Sequence, residues 1–412
     1  MSTLSKSRWV LFGVVFLCKV LGLGAELKKI QNSMATPKEV AAPISWGKDY
    51  ETLKLQFHSV RKLPNKKLLI VSTGTTASAP LTALFFDPVA ETTSRPIPYP
   101  TTLEPNFEGV VGFKINDQIL GFTNLSQTPY GNVYGSVTNR IVFWNATKNS
   151  WAAEAIEFDS KSQAALPIIR HRKGTDEIVF FKGEGVDTLG KSIKIPGIQI
   201  NVTGRVVLAD GRIEESNSLG HLVRARVNFD TSTFADGRIF IVGGNELSYS
   251  GGENGDYRDL VTAKTAEFYS PEKNIWYETP PLPSEITSAK AYNLNEKEVL
   301  VVNVISGVGF IWSFATKSWT SAFDLKKEVS RGLMLSNGKF IATVAGEKSG
   351  SEKMLIWNPT TKQIDYKESP LNFNKGTNLI EMEDQKVLET QPSGAIIWNF
   401  KDDSSKLLTK TK

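Results

Sequence analysis

From about residue 30 onward, apolar positions almost never fall at helical spacing. Short runs of β-branched and aromatic residues recur instead, bounded by Gly, Asn, Asp and Pro. Such runs predict strands joined by tight turns, and therefore an all-β chain.

A chain of this kind and length invites a search for a period, and a two-part pattern returns seven times. One part is an apolar-aromatic triplet running into a turn: ALFFDPVAETTS, RIVFWNATKNSW, GIQINVTGRVV, AEFYSPEKNIW, GFIWSFATKSW, MLIWNPTTKQI and AIIWNFKDDSS. Its turn residues are Asp87, Asn145, Asn201, Ser270, Ser313, Asn358 and Asn399, at spacings of 58, 56, 69, 43, 45 and 41. The other part lies upstream, a charged turn followed by an apolar strand, as in LPNKKLLIVSTG, ADGRIFIVGG and SNGKFIATVAG. Asp-Gly and Asn-Gly pairs tolerate positive φ and make tight hairpins. Each unit thus predicts a four-stranded antiparallel meander, the blade of a β-propeller. The expected architecture is a single propeller of seven four-stranded blades over residues 53–408, with six as the alternative. Closure needs the two ends of the chain to meet, and segment 26–52, with Trp46 at its end, is the expected donor of a strand to the last blade.

Residues 226–283 carry a family likeness. Arg226, Asp236-Gly237-Arg238, Gly243-Gly244, Tyr269, Pro271, Asn274, Trp276 and Pro281-Leu282-Pro283 resemble the arginine, turn, double glycine, tyrosine and tryptophan of a Kelch repeat. The other units keep the period and parts of the motif. The closing tryptophan recurs as Trp151 and Trp319, and the double glycine becomes Ser72-Thr73-Gly74 or Ala345-Gly346. Ile356-Trp357-Asn358 and Ile397-Trp398-Asn399 echo WD-repeat propellers, but no regular Gly-His partner stands upstream. The likeness implies a Kelch-type member of the galactose oxidase-like superfamily. On repeat logic the glycines serve close packing and the rings fill space between blades.

A propeller is a scaffold, so function must be sought in its loops. Connections between second and third strands leave one face and are longest at 122–139, 182–197 and 245–264. Tyr130, Tyr134, Asn245, Glu246, Tyr249, Tyr257 and Arg258 make these loops a mixture of flat rings and polar groups suited to a glycan or peptide. Arg170, Arg226 and Arg331 precede three different blades. In Kelch proteins arginines there often face the mouth of the central cavity, where they would favour carboxylate or sulfate.

Composition narrows the chemistry. The single cysteine, Cys18, and three scattered histidines leave no thiolate cluster, no metal site and no copper oxidase centre of the galactose oxidase type, so no cofactor is expected. No sialidase box and no Gly-x-Ser-x-Gly elbow occurs. Lys6 and Arg8 precede an apolar run to Cys18 and small residues to Ala25, the pattern of a signal peptide over residues 1–25. The run is too short for an ordinary membrane span. Loss of Lys6, Arg8 and Lys19 on cleavage would leave 45 basic against 43 acidic residues, a nearly neutral chain with no nucleic-acid footprint. The expectation is a secreted, periplasmic or cell-surface monomer that binds a glycan or protein ligand without catalysis. The alternatives are retention by an uncleaved signal and, for activity, a Kelch-type mutarotase or epimerase acting on an acidic sugar.

Overall fold

The structure, a computed structural model, describes residues 44–45 and 57–408 apart from 74–81, 95–96, 99–109, 116–117, 125–137, 160–167, 173–174, 185–198, 208–212, 216–217, 251–256, 287, 375–376, 384 and 392–393. The signal-peptide pattern lies outside these residues. Among the described residues there is no helix, and none therefore long and apolar enough to cross a membrane.

The strands form successive antiparallel meanders. The first sheet contains Phe57–Lys62, Leu68–Thr73, Thr82–Asp87 and Thr92–Thr93. The second runs from Val110–Lys114 to Ser150–Asp159, and the third from Ile168–Arg172 to Ile213–Glu215. The fourth is Asp230–Thr233, Ile239–Val242, Glu267–Ser270 and Ile275–Glu278. The fifth spans Ala289–Asn295 to Ser318–Asp324, the sixth Val329–Met334 to Ile364–Asn372, and the seventh Asn378–Glu381 to Ser404–Leu407.

Both faces of these sheets are apolar, so each must be covered by a neighbour. Seven core clusters do this, each joining consecutive sheets. One brings Leu68, Ile70 and Phe86 of the first sheet against Leu388, Ala395 and Ile397 of the seventh. The first strands also pack one on the next, and Phe57–Lys62 packs on Asn378–Glu381, so the circuit ends where it begins. Trp276 and Tyr269 fill the space against Phe181 and Val202 of the third sheet, and Trp276 Nε1 donates to the carbonyl of Leu219 at 2.9 Å.

Turn chemistry repeats with the sheets. Asp87, Asn145 and Asn358 each accept backbone N–H groups two and three residues on, the capping geometry of an Asx turn. Four residues beyond six of the seven turn positions the backbone takes positive φ, at Glu91, Asn149, Asn274, Lys317, Lys362 and Asp403. The third unit differs. Asn201 sits inside the strand Gln199–Val207, paired with Lys182, and that strand runs on to Val207 before Ile213–Glu215 pairs back onto it. The third unit is therefore longer than the sequence spacing implied.

Two other expectations are corrected. Ile44–Ser45 pairs with Thr92–Thr93 of the first sheet, not with the seventh, whose fourth strand is its own Ser404–Leu407. Among the described residues the last sheet has four strands of its own, whereas the outer strand of the first is divided into Thr92–Thr93 and Ile97–Pro98. The long connection after Gly244 is not an irregular loop. Asn245–Ser250 and Tyr257–Thr262 form an antiparallel ribbon, which pairs with Arg226–Val227 as a separate three-stranded sheet.

Gly243 and Gly244 make that departure possible. Both have positive φ, and a Cβ on Gly244 would lie 2.2 Å from the carbonyl oxygen of Val227. Gly338 has a similar φ of 80° but nothing within 4 Å. We predict that Gly244→Ala costs about 3 kcal/mol by denaturant unfolding, from clash plus backbone strain, and Gly338→Ala about 1 kcal/mol from strain alone. Equal costs would show that the close approach to Val227 does not matter.

Candidate functional site

The ribbon is rooted in a knot of charge. Register places Glu246 opposite Arg226, and Asn245 opposite Val227. The guanidinium of Arg226 is fully buried. It donates to the Thr265 carbonyl at 2.6 Å, pairs with Glu267 at 2.9 Å and lies 3.9 Å from Glu246. Glu267 in turn accepts from the backbone N–H groups of Val223 and Arg224, at 2.7 and 3.2 Å. Burial pushes the Glu267 carboxyl up, and the charge of Arg226 opposes that rise. Arg224 bonds Glu278 at 2.5 Å and reaches Glu246 at 3.6 Å. Burial raises Glu278, but hydrogen bonds from Arg224 and Thr265 outweigh it and hold the carboxyl below its ordinary value. The network welds segment 219–227, the ribbon root and the fourth sheet into one piece. Removing one partner of the buried Arg226–Glu267 pair would strand the other, at a cost on the order of 3–5 kcal/mol.

Of the residues singled out in the sequence, Arg226, Asn245 and Glu246 meet here. Tyr249 and Arg258 are register partners on the ribbon, as are Ser250 and Tyr257, although the side chains of Tyr249, Tyr257 and Arg258 lie outside the described residues. Tyr130 and Tyr134 lie outside them altogether. Arg170 and Arg226 do not face a cavity mouth. Arg170 is buried, with Nε on the Gly237 carbonyl at 3.1 Å, Nη1 on Glu177 at 3.3 Å and its guanidinium over the Tyr269 ring. It ties the third sheet to the fourth. Arg170 is held by a carboxylate across its own ladder, and Arg226 by Glu267 of the fourth sheet. Arg331 is exposed, on the first strand of the sixth sheet.

A second polar cluster had no forewarning in the sequence motifs. Glu352 of the sixth sheet and Glu389 of the seventh are both wholly buried and share the side-chain amide of Gln391. Gln391 Nε2 donates toward Glu389 at 3.2 Å and Glu352 at 3.5 Å, and Trp398 Nε1 donates to Glu389 at 2.7 Å. Burial raises both carboxyls, and the charge of Glu389 raises Glu352 further. Burial and mutual repulsion therefore favour a pair that carries one negative charge and shares one proton. The only clue in the sequence is a lone acid in each of the apolar strands SEKMLIW and KVLETQ, where a charge would need a partner.

Among the described residues no group of three or more acidic, histidine or cysteine side chains could hold a metal ion. The exposed His221 has no acid–base partner in the described contacts. No known sequence family matches the chain. No curated protein matches it either. Solved structures do. The chain is similar to a Bacteroides uniformis protein assigned as a 6-phosphogluconolactonase, at 9% identity over 82% of this chain and 94% of that one, with a TM-score of 0.53. It is similar to a puromycin-hydrolysing peptidase of Mycobacterium tuberculosis at 10% identity, covering 90% of this chain and 55% of that one, with a TM-score of 0.51. It is also similar to U3-55K, at 10% identity over 82% and 90%, with a TM-score of 0.50. The chain thus spans about half the length of the peptidase. At these identities the likeness concerns fold alone: an all-β chain of antiparallel sheets in the manner of a β-propeller.

The shared proton makes stability depend on pH. A carboxyl raised in the folded state stabilises it below the ordinary carboxyl value, and that contribution is lost as pH rises towards the folded value. Glu352→Gln keeps the shape and removes the titration. We predict that this variant gains about 4 kcal/mol relative to the parent between pH 5 and pH 8, read by urea unfolding at each pH. A difference that stays constant with pH would exclude the shared proton.

Proposed function

We propose that the chain is an exported, seven-bladed, Kelch-type propeller that binds a polar ligand, a glycan or a peptide, on the face carrying the 245–262 ribbon, without catalysis. The observation that carries this reading is the ribbon itself. It stands apart from the ladder of its parent sheet yet is held at its root by Arg226, Glu246, Arg224 and Glu278. A scaffold that fixes an accessory element so firmly supports a preorganised binding surface, which lowers the cost of ordering it on association. Tyr249, Tyr257 and Arg258 lie together along its two strands in register, residue types that supply contact area and bidentate hydrogen bonds. The seven consecutive meanders and their closed circuit of cores support the blade count. The Kelch assignment rests on the motif of residues 226–283 and on the packing of Tyr269 and Trp276 between sheets. The N-terminal charge and apolar pattern supports export.

The labelled full chain on an array of defined glycans, beside a peptide array, tests this reading. A variant with 247–260 replaced by a two-residue Asn-Gly turn should unfold within a few degrees of the parent and bind at least tenfold more weakly to whichever probes the parent retains. Equal retention by both proteins would move the site off the ribbon. Faster anomer interconversion of an acidic sugar, seen by saturation-transfer NMR, would overturn the non-catalytic reading in favour of a mutarotase.

A further inference from the structure

The ribbon leaves one edge of its sheet open. Asn245–Ser250 lies between Arg226–Val227 and Tyr257–Thr262, so Tyr257–Thr262 is an edge strand. Register and one bond fix which of its backbone groups look outward. Thr262 stands opposite Asn245, and the Ala263 N–H donates to the Gly244 carbonyl at 3.0 Å. Bonding direction alternates residue by residue in an antiparallel ladder, so Tyr257, Asp259 and Val261 bond to the middle strand. Arg258, Leu260 and Thr262 turn their N–H and C=O groups the other way.

The same edge, followed along the chain, shows what it accepts. The Lys264 carbonyl, next in the outward series, takes the Leu282 N–H at 2.8 Å, and the Ala266 carbonyl takes the Thr279 N–H at 2.9 Å. Glu267–Ser270 then pairs with Ile275–Glu278. From Lys264 to Ser270 the edge is therefore covered by an extended segment of the chain itself. That cover stops at Pro280, Pro281 and Pro283, which have no N–H to give. Among the described residues no strand pairs with the outer edge of Tyr257–Thr262. Proteins commonly blunt such an edge with a proline or a bulge. YRDLVT has no proline, and its register to Asn245–Ser250 is unbroken over six pairs.

Three outward donors and three outward acceptors at strand spacing match an extended backbone, which can pair with all of them, and a glycan has no such repeat. We propose that the outer edge of Tyr257–Thr262 docks an extended, proline-free peptide segment of a partner protein. The segment adds to the accessory sheet as a fourth strand and pairs with Arg258, Leu260 and Thr262, continuing the cover that Leu282 begins at Lys264. Val261, whose side chain is 45% exposed, offers an apolar contact beside it. The inference rests on the ribbon as the binding element and narrows its ligand to a peptide held chiefly by main-chain bonds.

The labelled full chain on an array of defined eight-residue peptides tests the assignment, with each retained peptide also presented N-methylated at one or the other set of alternate residues. One set should weaken binding at least tenfold and the other should change it little, because only alternate residues of an added strand bond to the edge. Leu260→Pro removes an outward N–H without touching the ladder to Asn245–Ser250. It should melt within a few degrees of the parent and bind the same peptides at least tenfold more weakly. Should that variant unfold, the N-methylated peptides on the parent decide alone. Binding insensitive to N-methylation, or equal binding by a folded Leu260→Pro, would overturn the proposal. Self-association of the parent that Leu260→Pro abolishes would overturn it too, by giving the edge to a second copy of the chain. Retention of glycans but of no peptide, lost when 247–260 is replaced, would overturn the peptide edge and keep the ribbon as the site. Retention of neither class would overturn both readings.

Discussion

Leu68, Ile70 and Phe86 of the first sheet meet Leu388, Ala395 and Ile397 of the seventh, and every other interface in the circuit is a version of that contact. Strands such as Leu68–Thr73, Ile239–Val242 and Glu298–Asn303 are buried on both faces. Such a strand has no exposed face to offer water, so a linear stack of these sheets would leave two apolar surfaces bare. Bringing the first sheet against the last covers both at once. Polar groups are then admitted between sheets only with partners, as the Arg170–Glu177 and Arg226–Glu267 pairs illustrate.

Much of this was legible in the sequence because turns impose local rules. Asp236-Gly237 and Asn337-Gly338 need glycine where φ is positive, and Asp87, Asn145 and Asn358 cap their turns with their own side chains. Those signals located most of the meanders. They misled at Asn201, where an asparagine followed by a β-branched run mimics the turn pattern but pairs within a strand. No local rule distinguishes the two, since the difference lies in pairing with the strand Thr175–Glu184, where Asn201 meets Lys182.

The candidate sites were less legible, for a reason of distance. Arg170, Arg226 and Arg331 look alike in sequence, and their fates depend on whether a glutamate lies across the ladder or across a sheet interface. Glu177 is seven residues from Arg170, but Glu267 is far along the chain from Arg226, and Arg331 stays exposed on its strand. The Glu352–Glu389 contact likewise joins two sheets. The residues from 245 to 264 read as a loop because Gly and Asn are frequent there, while the alternation in NELSYS and YRDLVT carried the ribbon.

The way the circuit closes has a mechanical side. Ile44–Ser45 stays on the first sheet and the seventh completes itself, so no described strand passes across the seam between them. The seam is held by apolar side chains and by the ion pairs Lys66–Glu383 and Lys406–Glu91. Parting the first sheet from the seventh would therefore bare apolar side chains and break those ion pairs, with no described ladder of hydrogen bonds running between the two sheets.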